Sequence, residues 1–124
     1  MDWKTLLVMA AAIVIYAMLK KMGQISAKEA RNYLTNGAMV IDVRSPGEFN
    51  SGHVPKAINI PLDEIEAALP RSVKDKQQVL LLHCLSGTRS GIAKGRLKRL
   101  GYPNVFNLGS LNRAHAIIGN AAAD

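Results

Sequence analysis

VLLLHCLSGTRS, residues 79–90, is the stretch whose reading decides the fold. Its first half, VLLLHC (79–84), is a near-continuous apolar run, as expected of a strand covered on both faces. Its second half, LSGTRS (85–90), reads as a loop. A helical stretch follows to Leu100, where Gly101 and Pro103 stop it. A central strand that hands over to a helix through a short loop puts Cys84 at the strand's carboxyl end, and in α/β sheets ligands bind beyond that end.

Outward from this unit the same alternation continues. Upstream, Ser26 is a good N-cap for AKEARNYL, with Glu29 in the capping-box position, and Asn36-Gly37 ends that helix. AMVIDV (38–43) reads as a buried strand, Pro46-Gly47 as a turn and AINI (57–60) as a short strand closed by Pro61. A short helix is expected from Leu62 to Leu69, stopped by Pro70. Downstream, NVFNLG (104–109) is a fourth strand, and Ser110 caps a last helix through Ile118; the tail GNAAAD is expected to fray. Strands alternating with helices predict an α/β domain with a small, mostly parallel central sheet flanked by helices.

The chemistry predicted at Cys84 follows from that placement. The loop Cys84-Leu85-Ser86-Gly87-Thr88-Arg89 wraps the thiol, and its backbone N–H groups can form an anion cradle. The following helix adds partial positive charge at its N-terminus, and Arg89 adds a full charge if it turns inward. Gly87 permits a positive φ, and the hydroxyls of Ser86 and Thr88 can donate to an anion or to sulfur. Each of these favours thiolate over thiol, and the thiolate is the nucleophile. The plainer reading is a small buried hydrophobe at a strand end. Cys84 is the only cysteine, so any work it does uses a single sulfur and no internal disulfide forms.

CLSGTRS (84–90) resembles the active-site loop of the rhodanese, or thiosulfate sulfurtransferase, family. A second stretch, DVRSPGEFNSGHVPKAINIP (42–61), independently resembles that family's upstream signature: Asp42-x-Arg44, Glu48-Phe49, Gly52-His53, then Ala57-x-Asn59-x-Pro61. The resemblance runs over residues 24–118. It implies a two-step sulfur transfer in which Cys84 is the catalytic nucleophile and becomes a persulfide. The donor would be a small sulfur-bearing anion such as thiosulfate, and the acceptor cyanide or a thiol, a protein thiol included. Leu85, Ser86, Gly87, Thr88 and Arg89 would then form the substrate-binding cradle, with no cofactor. Asp42 and Arg44, with Glu48 as an arginine's partner, are expected to stabilise the turn after the first strand; the alternative is a supporting role in aligning the active-site loop. The chain departs from the family pattern at Leu85, where many active members carry Arg or another polar residue, and at Gly109-Ser110-Leu111, which replaces a Gly-Gly followed by Trp. Related phosphatases place five residues between Cys and Arg; four separate Cys84 from Arg89, which suits a sulfur atom and crowds a phosphate. The contrasting reading is a non-catalytic docking module that keeps the fold and binds a partner through the loop face.

Ahead of the domain, Thr5 to Leu19 is uncharged over fifteen residues. As a helix this run rises about 22 Å at roughly 1.5 Å per residue, against a hydrocarbon core of about 30 Å. Extended over residues 1–22, with Trp3 and Tyr16 at interfaces and Lys4, Lys20 and Lys21 snorkelling, it predicts a single-pass transmembrane anchor that meets the bilayer through residues 3–21. The basic flank Lys20, Lys21, Lys28 and Arg31 would put the domain, residues 23–124, on the cytoplasmic side. A cleaved signal peptide and a buried soluble helix are the alternatives.

The formal net charge is +7, and Arg89, Lys94, Arg96, Lys98 and Arg99 form a basic run without an aromatic residue among them. That composition reads as a solvated helix face rather than a nucleic-acid site. Neither His53, His83 and His115 nor Cys84 shows metal-ligand spacing, so no metal is expected. His53 is read as structural, and His83 should point away from the thiol because neighbouring strand residues face opposite sides. Gly87, Gly91 and Gly95 recur at four-residue spacing and are expected to serve close helix–sheet contact.

Overall fold

The computed structural model describes residues 1–122. Four strands form one parallel sheet: β1 (Met39–Asp42), β2 (Ile58–Asn59), β3 (Leu80–His83) and β4 (Val105–Gly109), in the order β2-β1-β3-β4. Helices α2 (Ala27–Thr35) and α6 (Leu111–Ala122) cover one face. Helices α4 (Ile65–Ser72) and α5 (Thr88–Arg99) cover the other, and the single-turn helix α3 (Pro46–Asn50) follows β1.

The alternation of side chains along β3 supplies both cores. Leu80, Leu82 and Cys84 face α4 and α5, together with Ile41, Leu69 and Leu97. Leu81 faces the other way, with Val40, Leu108 and Ile117. All four residues of β3 are buried, which is why this strand reads as an apolar run rather than an alternating one. Tyr102 closes the α5 side of the core, its hydroxyl donating to the Val73 carbonyl at 2.7 Å.

The register between β3 and β4 carries one irregularity. Leu82 stands opposite Asn107, but His83 stands opposite Gly109, so Leu108 is the extra residue. The carboxyl end of β3, where the loop begins, is therefore locally out of step with its neighbour.

Two expectations are corrected within the domain. Pro46-Gly47 does not make a simple turn: it opens α3, with Pro46 in the first helical turn and a complete capping box between Ser45 and Glu48. Pro70 does not stop α4 either. The helix runs on to Ser72, because a proline late in a short helix forfeits a single bond, to the exposed Glu66. A 3-10 turn (Leu62–Glu64) precedes that helix.

The N-terminal segment is also corrected. It forms helix α1 (Trp3–Met22), whose large apolar side chains are exposed. Among the described residues, no helix is long and apolar enough to cross a membrane. The single-pass span expected over residues 1–22 and the bilayer contact through residues 3–21 are therefore not found. The physical reason lies in the length of the uncharged run, whose rise of about 22 Å falls short of a hydrocarbon core of about 30 Å. The side chains at 20–22, on which part of the snorkelling expectation rests, lie outside the described residues, as do residues 123–124 of the tail; α6 itself continues past Ile118 to Ala122.

Candidate active site

Cys84 follows directly on β3, and its backbone N–H is held by the Gly109 carbonyl at 3.2 Å. The loop after it turns back over the sulfur and enters α5 at Gly87, which has φ 97° and ψ −6°. Only glycine adopts that left-handed conformation without strain. In that conformation the Gly87 N–H donates to Cys84 Sγ at 3.0 Å. The Ser90 hydroxyl, on the inner face of α5, lies 3.5 Å from the same sulfur.

Burial is the largest single influence on the Cys84 thiol and pushes its pKa up, but the opposing donors together outweigh it. These are the Ser90 hydroxyl and the N–H groups of Ser90, Gly87 and Ser86, and the thiol ends below its ordinary value. A sulfur ringed by amide and hydroxyl donors at a helix N-terminus is arranged to hold negative charge.

The other expected site residues divide into those at the sulfur and those that frame the loop. Leu85 and Ser86 form an exposed rim, while Cys84 itself presents no accessible surface. Thr88 is exposed, so the hydroxyl placed against sulfur is that of Ser90, one turn into the helix, rather than those expected from Ser86 and Thr88. Arg89 does not turn its charge inward. Its guanidinium makes a two-bonded pair with Glu48, at 2.7 and 2.9 Å, that clasps α5 to α3. Arg89 and the Ser45 N–H hold the Glu48 carboxyl down to about 2.

Asp42 and Arg44 are buried at the carboxyl end of β1. The Arg44 guanidinium donates to both Asp42 oxygens, the closest at 2.7 Å, and to the Gly52 carbonyl at 2.8 Å. Asn59 ties the same segment together by donating to the Asp42 and Arg44 carbonyls. His83 is fully buried on the opposite side of β3 from Cys84, with Nε2 at 3.7 Å from Asp42 Oδ2 and without a hydrogen-bond partner. Burial pushes its pKa down, so the ring is neutral. His53 stacks on Phe49 with ring centroids 3.7 Å apart, and its Nδ1 lies 2.9 Å from the Phe49 carbonyl. Of the three spaced glycines, Gly91 lies against Asn107, whereas Gly95 has open space where a Cβ would stand and serves no close packing.

Two residues at this site escape a reading of the sequence. Ser90 looks like a helix residue with an ordinary hydroxyl, and Asn107 like a polar interruption of β4. The one available signal is that asparagine is disfavoured inside strands, so its place between Phe106 and Leu108 implies a specific partner.

A family model described as a rhodanese-like domain matches residues 26–113. The chain is 42% identical over 71 residues to the thiosulfate sulfurtransferase PspE of Escherichia coli, which covers 57% of this chain and 68% of that protein. Among solved structures, a rhodanese with anions from E. coli is 39% identical with a TM-score of 0.59, covering 61% of this chain and 89% of that one. The human single-domain sulfurtransferase TSTD1 is 28% identical with a TM-score of 0.63, covering 73% of this chain and 93% of that one.

Proposed function

This chain belongs to the rhodanese-like domain family, and from that membership we propose that it is a sulfurtransferase that carries sulfane sulfur on Cys84. The observation that carries the reading is the hydrogen bond from the Gly87 N–H to Cys84 Sγ, supported by the Ser90 hydroxyl. In the first step the Cys84 thiolate attacks the outer sulfur of a donor such as thiosulfate. The new Sγ–S bond forms as the old S–S bond breaks, and sulfite leaves with the electron pair. In the second step a nucleophile, cyanide or a thiolate, attacks the outer sulfur of the persulfide and returns Cys84 as thiolate. Both states carry negative charge, and the backbone N–H donors of the loop face the sulfur in each.

The reading also assigns roles to the frame. Leu85 to Arg89 supply the cradle backbone, the Glu48–Arg89 clasp holds it to α3, and the buried Asp42–Arg44 pair orders the segment after β1 that carries Glu48. Cys84 is closed over, so reaction requires the exposed rim at Leu85 and Ser86 to move aside. That exposed leucine favours a second reading, a docking module that binds a partner through the loop face.

Intact-mass measurement separates the two. The full chain, incubated with thiosulfate and freed of excess donor, is expected to gain one sulfur atom and to lose it on addition of cyanide, while Cys84→Ser gains nothing. A wild-type protein that takes up no sulfur from thiosulfate or from an organic persulfide would replace the transferase reading with the docking one.

A further inference from the structure

The side chain of Asn107 is buried between β4 and α5, and it is spent on the loop rather than on its own strand. Its Nδ2 donates to the Gly87 carbonyl at 3.0 Å. Its Oδ1 accepts from the Gly109 N–H at 3.0 Å and from the Ser90 hydroxyl at 2.7 Å. The amide can face only this way, since a carbonyl accepts and a backbone N–H donates. Asn107 also stands where the β3–β4 register slips, and its bond to the Gly109 N–H, two residues on, spans the extra Leu108.

The Ser90 hydroxyl has one proton and three acceptors within reach. They are Asn107 Oδ1 at 2.7 Å, the Gly87 carbonyl at 3.1 Å and Cys84 Sγ at 3.5 Å. We propose that Asn107 is a positioning residue for the sulfur chemistry: it pins the Gly87 carbonyl and shares the Ser90 proton with Cys84. While the sulfur is a thiol, Ser90 donates to Oδ1, its shortest contact. When the sulfur ionises, it becomes the stronger acceptor and the hydroxyl turns to it. Oδ1 keeps the Gly109 N–H, so the turn leaves no buried acceptor unpaired. Once Cys84 carries an outer sulfur, the charge sits on that atom and the hydroxyl returns to Asn107. The pin on the Gly87 carbonyl matters because the flanking torsions of a left-handed glycine are otherwise soft, and the same residue supplies the N–H at 3.0 Å from Sγ.

The inference rests on Cys84 being the reactive sulfur, but its test reads the thiolate and needs no donor. The charged groups facing the sulfur are few. Arg89 of α5 acts on it through space while paired to Glu48 of α3, and the adjacent titratable group on β3, His83, contacts the Cys84 carbonyl through Nδ1. Asn107→Asp leaves all of these in place, keeps an acceptor for Ser90 and Gly109, and removes the donor to Gly87; the charge it adds opposes the thiolate alike with and without the Ser90 hydroxyl, so the comparison between the two backgrounds isolates the shared proton. At a fixed pH near neutral, thiolate measured by iodoacetamide alkylation of the full chain is expected to fall at least about tenfold in this variant. The loss should be smaller when the same substitution is made in Ser90→Ala, because the hydroxyl it would capture is gone. Equal losses in the two backgrounds, or none in either, would overturn the proposal.

A measurement on the wild-type fold stands beside this one in case the variant does not fold. The Gly109 amide proton, which shares Oδ1 with Ser90, should move downfield on ionisation of Cys84 with the midpoint of the thiolate. That movement should vanish in Ser90→Ala and persist in Ser90→Thr. A Gly109 signal that does not follow the thiolate, or follows it equally in Ser90→Ala, would refute the shared proton. A protein that takes up no sulfur yet gives these titrations would remove the transferase reading and leave this inference standing.

Discussion

Arg44→Met is expected to lower the unfolding free energy by about 3–5 kcal/mol. The Asp42 carboxylate is fully buried, and Arg44 satisfies both its oxygens while also tying down the Gly52 carbonyl. Removing the guanidinium strands a charge in the interior, and that penalty exceeds what the intact pair contributes over an apolar replacement. The nearest group able to compensate is His83, at 3.7 Å from Asp42 Oδ2. This gives the variant a distinctive pH dependence. In the wild type, burial depresses the His83 pKa, so its contribution to stability is full above the ordinary histidine value, about 6.5, and is lost as pH falls through the lower folded value. Removing Arg44 takes away one influence that lowers the His83 pKa and leaves that of Asp42, which raises it, so the folded value moves up from its wild-type position. Less stability is then lost as pH falls below the ordinary histidine value. Urea denaturation at pH 8 and pH 6 should therefore show a deficit that narrows at the lower pH. A deficit independent of pH would mean that His83 does not answer to Asp42.

Gly87→Ala is expected to slow the reaction of Cys84 by roughly a hundredfold, the scale of losing one donor from an anion-stabilising pocket. Two features of the position act together. The φ of 97° is one that alanine adopts only with strain, and an added Cβ would stand 3.1 Å from Gln24 Nε2 and 3.4 Å from the Gly109 backbone. The flexible glutamine can give way and the approach to Gly109 is close to an ordinary contact, so the left-handed φ is what alanine resists, and the loop relaxes away from it. Its N–H then leaves the sulfur. Gly95→Ala provides the contrast. It lies on the same helix, with open space at the Cβ position and no positive φ, so alanine there should keep full reactivity and add up to about 1 kcal/mol of stability. Alkylation rates of the two variants, measured beside their urea midpoints, separate the local effect from general loosening. If Gly87→Ala alkylated like the wild type, the Gly87 N–H would not be an important donor.

Much of the fold could be read in advance, for reasons tied to particular residues. The run at 80–83 is apolar because both of its faces are covered, and Ser26 and Ser110 mark helix starts because each accepts from a backbone N–H three residues on. Pro46-Gly47 is ambiguous by itself, because proline and glycine serve equally in turns and in first helical turns. The deciding feature was Glu48, three residues after Ser45. At the site, Cys84 and Gly87 were legible because a strand end and a glycine constrain the backbone locally. Ser90, Asn107 and the partner of Arg89 were not, because each depends on which side chain a distant element presents. Glu48 reaches Arg89 across 41 positions of sequence, and Asn107 reaches Ser90 across 17. At the N-terminus the uncharged run of fifteen residues is apolar but short, and among the described residues no helix is long and apolar enough to cross a membrane.

Chemistry at this site turns on the ionisation of one sulfur. Alkylation of Cys84 by iodoacetamide in the full chain, followed from acid to alkaline pH, reads it directly, with Cys84→Ser as the blank. The rate should rise to its plateau through a midpoint clearly below that of an ordinary cysteine, about 8.5. A midpoint at or above that value would contradict the donor ring described around Cys84, and a sulfur that never reacts at any pH would contradict its role as a nucleophile.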